Sequence, residues 1–358
     1  MAQHTLETVA QDDYRAAGQG ASVFGQTLSA ATVGRLLERE GTQLQAELFG
    51  PEASLQVAQA TAPNPPQFMS VSGDGSRYRT NLADRPRGER AAPQAPAEER
   101  DRGWRENKIG VVIRAEHGKV LPDGQYLPPT ELLKTYGATT DDTHAFGPML
   151  RTEFDRRGGP QCLEVGWVSD HGHGLPQLRQ REFADIKLNV VTDEFHAFAR
   201  LGECARISKG ETPAAARVRQ RYFHGLRDRL DRGKTQDVLR LLTAEAAHRA
   251  PRPAQLSDLA EQPAAHTLWT HVFYIEEHQG TMDYPACRAK GWPVGSGTIE
   301  SACGQFGDRF KPNRMRWTPE IANNGHHLKA AILSQDGRWA RRWPPPVHGL
   351  DFPPDLLN

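Results

Sequence analysis

Apolar positions recur along the chain with two different periods, and the places where the period changes divide it into parts. In the first 60 residues Phe24, Leu28, Val33 and Leu36-Leu37 fall on one side of a helix. Within that stretch LSAATVGRLLEREG, Leu28 to Gly41, has the shape of a helix-turn-helix second helix. Ser29 would be its cap, with Thr32, Arg35 and Arg39 pointing outward; an amphipathic helix packed on a core is the competing reading. Pro51 to Gln67 reads as a linker from its prolines and alanines. Alternation takes over in FMSVSGDGSRYRT, Phe68 to Thr80, and predicts two strands flanking a turn at Gly73-Asp74-Gly75. Asn81 to Asp101 has no apolar period and reads as a mobile loop. A strand follows around Ile109 to Ile113, then a helix from about Thr143 to Arg156. CLEVGWVSD is a short apolar strand ending at Asp170, and Ile186 to Val191 is another, leading into a helix. Residues 207 to about 280 return to the helical period, with Tyr222-Phe223, Leu226, Leu230, Val238 and Leu241-Leu242 inward. The tail, RRWPPPVHGLDFPPDLLN, reads as extended.

The last periodic segment carries the chemistry. In GWPVGSGTIESACGQFGDRFKPNRMRW, Gly291 to Trp317, the residues Ile299, Ala302, Cys303, Phe306 and Phe310 make one helical stripe. Ser296 or Thr298 would cap that helix. Glu300 lies in its first turn, and Gly304 and Gly307 continue its face, at about 1 kcal/mol each relative to alanine. Arg309, Lys311, Arg314 and Arg316 follow. A carboxylate with clear space and basic residues beyond it suits a metal site handling a phosphate backbone; a glutamate favouring the helix dipole is the plainer alternative. Asp74 between two glycines is a turn aspartate or a site carboxylate. Asp170 and Asp193 each follow a strand, where a sheet presents ligands, or else cap the next helix.

Composition narrows the partners. The chain has 358 residues and a formal net charge of zero, so any nucleic-acid surface must be local. Five arginines between Arg217 and Arg229 form such a patch, or a solvated face. The four cysteines are scattered without a C-x-x-C pair, which argues for a reducing compartment. His171 and His173 stand in a glycine loop without a cysteine partner, a poor zinc pattern. No run reaches membrane-spanning length and the N-terminus has no apolar leader core, so a cytoplasmic location is expected.

The run Pro293-Val-Gly-Ser-Gly-Thr-Ile-Glu300-Ser-Ala-Cys303, followed by Met315-Arg316-Trp317, resembles the C-terminal signature of bacterial insertion-sequence transposases of the ISKra type. The likeness extends to the family's Ser-Val-Asp-Gly run, whose aspartate Asp74 matches although Gly73 replaces the usual apolar residue before it, a Gly-Trp-Arg-Glu-x-Lys run from Gly103, Asp193-x-x-His196, and Met282-Asp-Tyr284. It implies an α/β fold, an RNase H-like mixed sheet with flanking helices. Residues 66–198 and 281–340 would form that core, 199–280 an all-helical insertion, 1–65 a helical N-terminal region and 341–358 a Pro-rich tail. It also implies a DDE transposase with Asp74, Asp170 and Glu300 as catalytic acids and ligands of two Mg²⁺ or Mn²⁺ ions. Asp193, His196 and His171 would support them, Asp193 competing with Asp170 as second ligand. Arg35, Arg39, Arg309, Lys311, Arg314 and Arg316 would contact DNA. The expected partners are double-stranded DNA, both element ends and target, and a second copy in a homodimer, at the nucleoid. The family's N-terminal Cys-rich element has no counterpart, and the alternative is a catalytically decayed, transposon-derived DNA-binding protein.

Overall fold

The computed structural model describes residues 6, 29–59, 64–80, 103–172, 174–311 and 317–343. Its centre is a five-stranded mixed sheet in the order β5-β2-β1-β6-β7. The strands are β1 (Phe68–Arg79), β2 (Trp104–Glu116), β5 (Thr130–Thr139), β6 (Glu164–Ser169) and β7 (Leu188–Thr192); a small ribbon, β3 (Lys119–Val120) and β4 (Tyr126–Leu127), stands apart. The pairs β1–β2 and β2–β5 are antiparallel, whereas β6 runs parallel to β1 and β7 parallel to β6.

The first surprise is β1. Gly73-Asp74-Gly75 makes no turn, because every residue from Phe68 to Arg79 pairs with β2 in one unbroken register. The glycines serve packing instead. A Cβ at Gly110, the partner of Gly73, would lie 2.7 Å from a Leu150 methyl, and one at Gly73 would lie 3.1 Å from a Leu175 methyl. Two helices therefore press directly onto the backbone of this sheet. The strand β5 carries no clear alternation: Thr130 to Leu132 are exposed and only its second half is buried, although it pairs with β2 along almost its whole length.

Period two sorts the strands between two faces. Phe68 and Tyr78 of β1, with Ile109, Val111 and Ile113 of β2, pack against Ile299, Ala302, Phe306 and Phe310. Those belong to α10 (Gly297–Phe310), the helix expected from its apolar stripe. Met69, Val71, Val112, Val165 and Trp167 face the other way, onto α3 (Thr143–Arg156) and α4 (Leu175–Glu182). Asp74 shares the parity of Phe68 and Tyr78, and so belongs to the α10 face.

Helix α5 (Glu194–Lys209) leads from β7 into α6 (Ala216–Asp231), α7 (Thr235–Arg249) and α8 (Pro263–His278). These pack through Leu201, Leu226, Leu230, Leu242, Trp269 and Ile275, and the cluster continues into Val168 and Val191 of the sheet. A short α9 (Tyr284–Ala289) returns the chain to α10. At the far edge α1 (Ala30–Phe49) lies on α11 (Pro319–Leu333) and α12 (Arg338–Arg342) through Val33, Leu36, Leu37, Leu44, Leu328 and Trp339. Ser29 caps α1 as expected, accepting from Thr32 N–H. The helix does not stop at Gly41: that glycine lets α11 approach, since a Cβ there would meet Asn324 Cβ at 2.4 Å. Nor is Pro51 to Gln67 all linker, for α2 (Pro51–Gln59) begins at Pro51, where the missing N–H costs nothing. The loop expected at 81–101 and nearly all of the Pro-rich tail lie outside the described residues.

Candidate active site

The site is a consequence of strand register. β1 and β6 pair from Phe68 with Glu164 to Ser72 with Val168; carried two residues further, the same register brings Asp74 level with Asp170. β6 and β7 pair from Val165 with Leu188 to Ser169 with Thr192, so one residue beyond them Asp170 stands level with Asp193. Three aspartates thus form a row across three neighbouring parallel strands about 4.8 Å apart, Asp74 in the middle of β1 and Asp170 and Asp193 just past the carboxyl ends of β6 and β7. The expected triad partner Glu300 comes down onto the row from the first turn of α10. Its approach is fixed by the Glu194 N–H, which donates to Val294 O at 2.9 Å and ties the start of α5 to the lead-in of α10.

The members differ in what occupies their oxygens. Asp74 is half-buried; its Oδ1 accepts the Gly75 N–H at 2.6 Å, and the Cys303 thiol donates toward Oδ2 at 3.4 Å. Burial, then the Asp74 charge, pushes the Cys303 thiol far up, so it stays protonated. Asp170 is half-buried and its Oδ1 accepts the Gly172 N–H at 2.8 Å. Its carbonyl accepts from the Tyr274 hydroxyl at 3.0 Å, a contact reaching back from α8.

Asp193 is wholly buried and fully engaged. Oδ1 accepts Phe195 N–H at 3.0 Å, capping α5, while Oδ2 faces His196 Nδ1 at 2.7 Å and accepts from the Ser296 hydroxyl. Burial pushes its pKa up, but the bonds from His196 and Ser296 outweigh this and hold it below the usual carboxylate range. Ser296 is therefore not the side-chain cap of α10: its hydroxyl gives its proton to Asp193. For the same reason Ser296, Asp193 and His196 are not a nucleophile–base pair, in which the hydroxyl would address an imidazole.

His196 carries its other nitrogen, Nε2, 3.4 Å from Glu300 Oε1. Its bond to Asp193, with the charges of Asp193, Glu300 and Asp170, raises its pKa to about 9 against the cost of burial. The Glu300 carboxyl is pushed up by burial; His196 opposes, and the charges of Asp74, Asp193 and Asp170 add to the rise. Glu300 Oε1 is buried without a hydrogen-bond donor. Carboxylates close enough to raise one another's pKa, one of them lacking a donor, suit a hard divalent cation, although Asp74 and Asp170 do not fall with Glu300 into one group of ligand atoms among the described residues. Asp193, His196 and Glu300 present ligand atoms within 4.8 Å of one another.

The remaining sequence candidates scatter. His171 occupies left-handed backbone (φ 63°), bonds Thr192 Oγ1 through Nε2 at 2.9 Å and stacks on His278 at 3.9 Å. Burial and His278 lower it to about 4, and the ring braces the loop beside Asp170. Arg309 is corrected outright. Only 1% exposed, it lies over the Trp317 ring at 4.3 Å, and belongs to the core beneath α10 rather than to a DNA surface. Lys311 is exposed; Arg35 is exposed, and Arg39 is half-buried and paired with Glu40 at 2.9 Å. Arg314, Arg316 and His173 lie outside the described residues. Cys303 and Tyr274 were not marked by sequence as site residues, although Cys303 follows Glu300 at i+3 and so shares its helix face.

No protein-family model matches the chain, and no curated protein matches it either.

Proposed function

We propose that the protein is a DDE transposase, which cuts DNA at the ends of an insertion element and joins the freed 3′-hydroxyl to target DNA. The carrying observation is the register that sets Asp74 level with Asp170, beneath the helix that delivers Glu300. An antiparallel β1–β2–β5 meander with β6 and β7 parallel to β1 supports assignment to the RNase H-like class. The motif resemblance around Glu300 adds the recombinase reading to that arrangement.

In this account Asp74, Asp170 and Glu300 hold Mg²⁺ or Mn²⁺. Bound divalent ions would supply the positive charge that activates the attacking hydroxyl and stabilises the leaving oxygen at phosphorus. The chain's own residues do the rest. Asp74 is steadied by Gly75 N–H and the Cys303 thiol, and Asp170 by Gly172 N–H and the Tyr274 bond to its carbonyl. Double-stranded DNA is the partner, and a homodimer on paired ends follows from the need to join two ends at once. No helix among the described residues is long and apolar enough to cross a membrane.

The test is a strand-transfer assay on paired, pre-nicked element ends with Mn²⁺. Asp74→Asn, Asp170→Asn and Glu300→Gln should each lower joining at least a thousandfold while DNA binding survives. A wild type as inert as these variants, yet still binding the ends, would identify a decayed DNA-binding descendant. Cleavage of RNA without joining would point to a nuclease.

A further inference from the structure

We propose that His196 is itself a cation ligand through Nε2, sharing one ion with Glu300, and that Asp193 is the positioning residue behind it rather than a ligand. This rests on the proposed metal-dependent reading of the same site and names a donor outside the three acids.

Asp193 stands in the aspartate row with both oxygens already engaged: Oδ1 holds Phe195 N–H, and Oδ2 meets both His196 Nδ1 and the Ser296 hydroxyl. It is 0% exposed, so its bonds are shielded from water. Its engagement has one directional result. With Nδ1 held by the carboxylate, the opposite nitrogen is aimed at Glu300 Oε1, 3.4 Å away, and an ion binding there displaces the Nε2 proton to solvent. That oxygen is buried and has no donor. Two donors bound at about 2.1 Å to one ion stand roughly 3.0–3.4 Å apart in octahedral or tetrahedral geometry, which is the separation found. A carboxylate behind a ligating imidazole is the common outer support of a metal-bound histidine. An imidazole donor also biases the choice of ion. Mg²⁺ favours oxygen ligands and sheds water reluctantly, whereas Mn²⁺ and Zn²⁺ accept nitrogen readily. The site should therefore bind Mn²⁺ more tightly than Mg²⁺, a preference that three carboxylates alone would not impose.

The experiment is Mn²⁺ titration of the full-length chain followed by electron paramagnetic resonance, with pulsed detection of nitrogen coupled to the bound ion. In the wild type, bound Mn²⁺ should show ¹⁴N modulation of an imidazole. His196→Gln should abolish the modulation and weaken Mn²⁺ binding at least tenfold, narrowing the gap to Mg²⁺. Asp193→Asn should weaken Mn²⁺ binding ten- to hundredfold. Both variants are to be compared with wild type by near-ultraviolet circular dichroism. Should either misfold, the wild-type modulation and its survival in His171→Ala still decide the matter. Bound Mn²⁺ with no nitrogen modulation, or with a modulation that persists in a folded His196→Gln, overturns the inference and leaves the three-carboxylate site standing. Failure of the wild type to bind Mn²⁺ at millimolar concentration overturns the metal-dependent reading along with it.

Discussion

Cys303 shows how a side chain can matter to a site without reacting. Its thiol is buried, held protonated and aimed at Asp74 Oδ2. Under the strand-transfer function proposed above, Cys303→Ala should leave the chain folded and lower joining by roughly tenfold, the worth of one orienting hydrogen bond of about 1.4 kcal/mol, as read from single-turnover assays. His326 and His327 make a different residue-scale prediction. Both are buried on α11; burial lowers their pKa values to about 3 and about 4. His326 is satisfied, its Nδ1 donating to Ala322 O at 2.7 Å and its Nε2 accepting from Asn107 Nδ2 at 2.6 Å, while neither ring nitrogen of His327 has a partner. The unfolded chain takes up these protons first, near pH 6.5. Stability is therefore complete above that pH and falls as pH drops toward the folded values, by about 2 kcal/mol per histidine between pH 6.5 and 5. Urea denaturation across that range should show the slope, and His327→Leu should reduce it by about half. Sequence could name these residues but not their surroundings. Asp170 and Asp193 look alike as strand-end acids, and only the bonds around each oxygen separate them. Arg309 looked like a phosphate contact because a basic residue beside a site says nothing about burial.

At the scale of elements, what the chain disclosed follows period and punctuation. Helix α3 was bounded at Thr143 and Arg156, and the stripe of α10 is buried at each of its five apolar positions. β6 and β7 were visible as short apolar runs ending in acids. The failures share one cause, tertiary contact overriding local preference. Asp-Gly at 74–75 is a strong turn pair, yet pairing with β2, with two helices pressed on neighbouring Gly73 and Gly110, holds it extended. β5 is assigned by its pairing with β2 and not by its own pattern. The coupling of the helical insertion to the site was equally invisible. Tyr274 of α8 reaches Asp170 O, and Arg200 of α5 lies 3.8 Å over the Tyr274 ring. Tyr274→Phe should cost about 1 kcal/mol of stability. It should also speed amide exchange at Gly172, whose N–H holds the Asp170 carboxylate, while leaving exchange in β2 unchanged.

Over the whole molecule the two ends of the described chain are clasped together. Glu153 on α3 is fully buried and takes a bidentate pair from Arg338 at 2.6 and 3.0 Å; burial alone would raise its pKa, but the guanidinium groups of Arg338, Arg156 and Arg157 hold it low. Arg342, one turn further along α12, bonds Glu40 at 2.8 Å and also meets Glu47, both on α1. Removing one partner of such a pair strands the other, so Arg338→Ala should cost roughly 3–5 kcal/mol in denaturant melts, more than the paired change Glu153→Leu/Arg338→Met. The order of elements has a consequence for synthesis as well. Helix α10 enters only at Gly297, after every strand of the sheet and the whole helical insertion have been made. Until then the nascent polypeptide exposes Phe68, Ile109, Val111 and Tyr136 on an uncovered sheet face and has no glutamate over its aspartates. A message cut short before that codon would yield a sticky fragment that lacks Glu300 altogether.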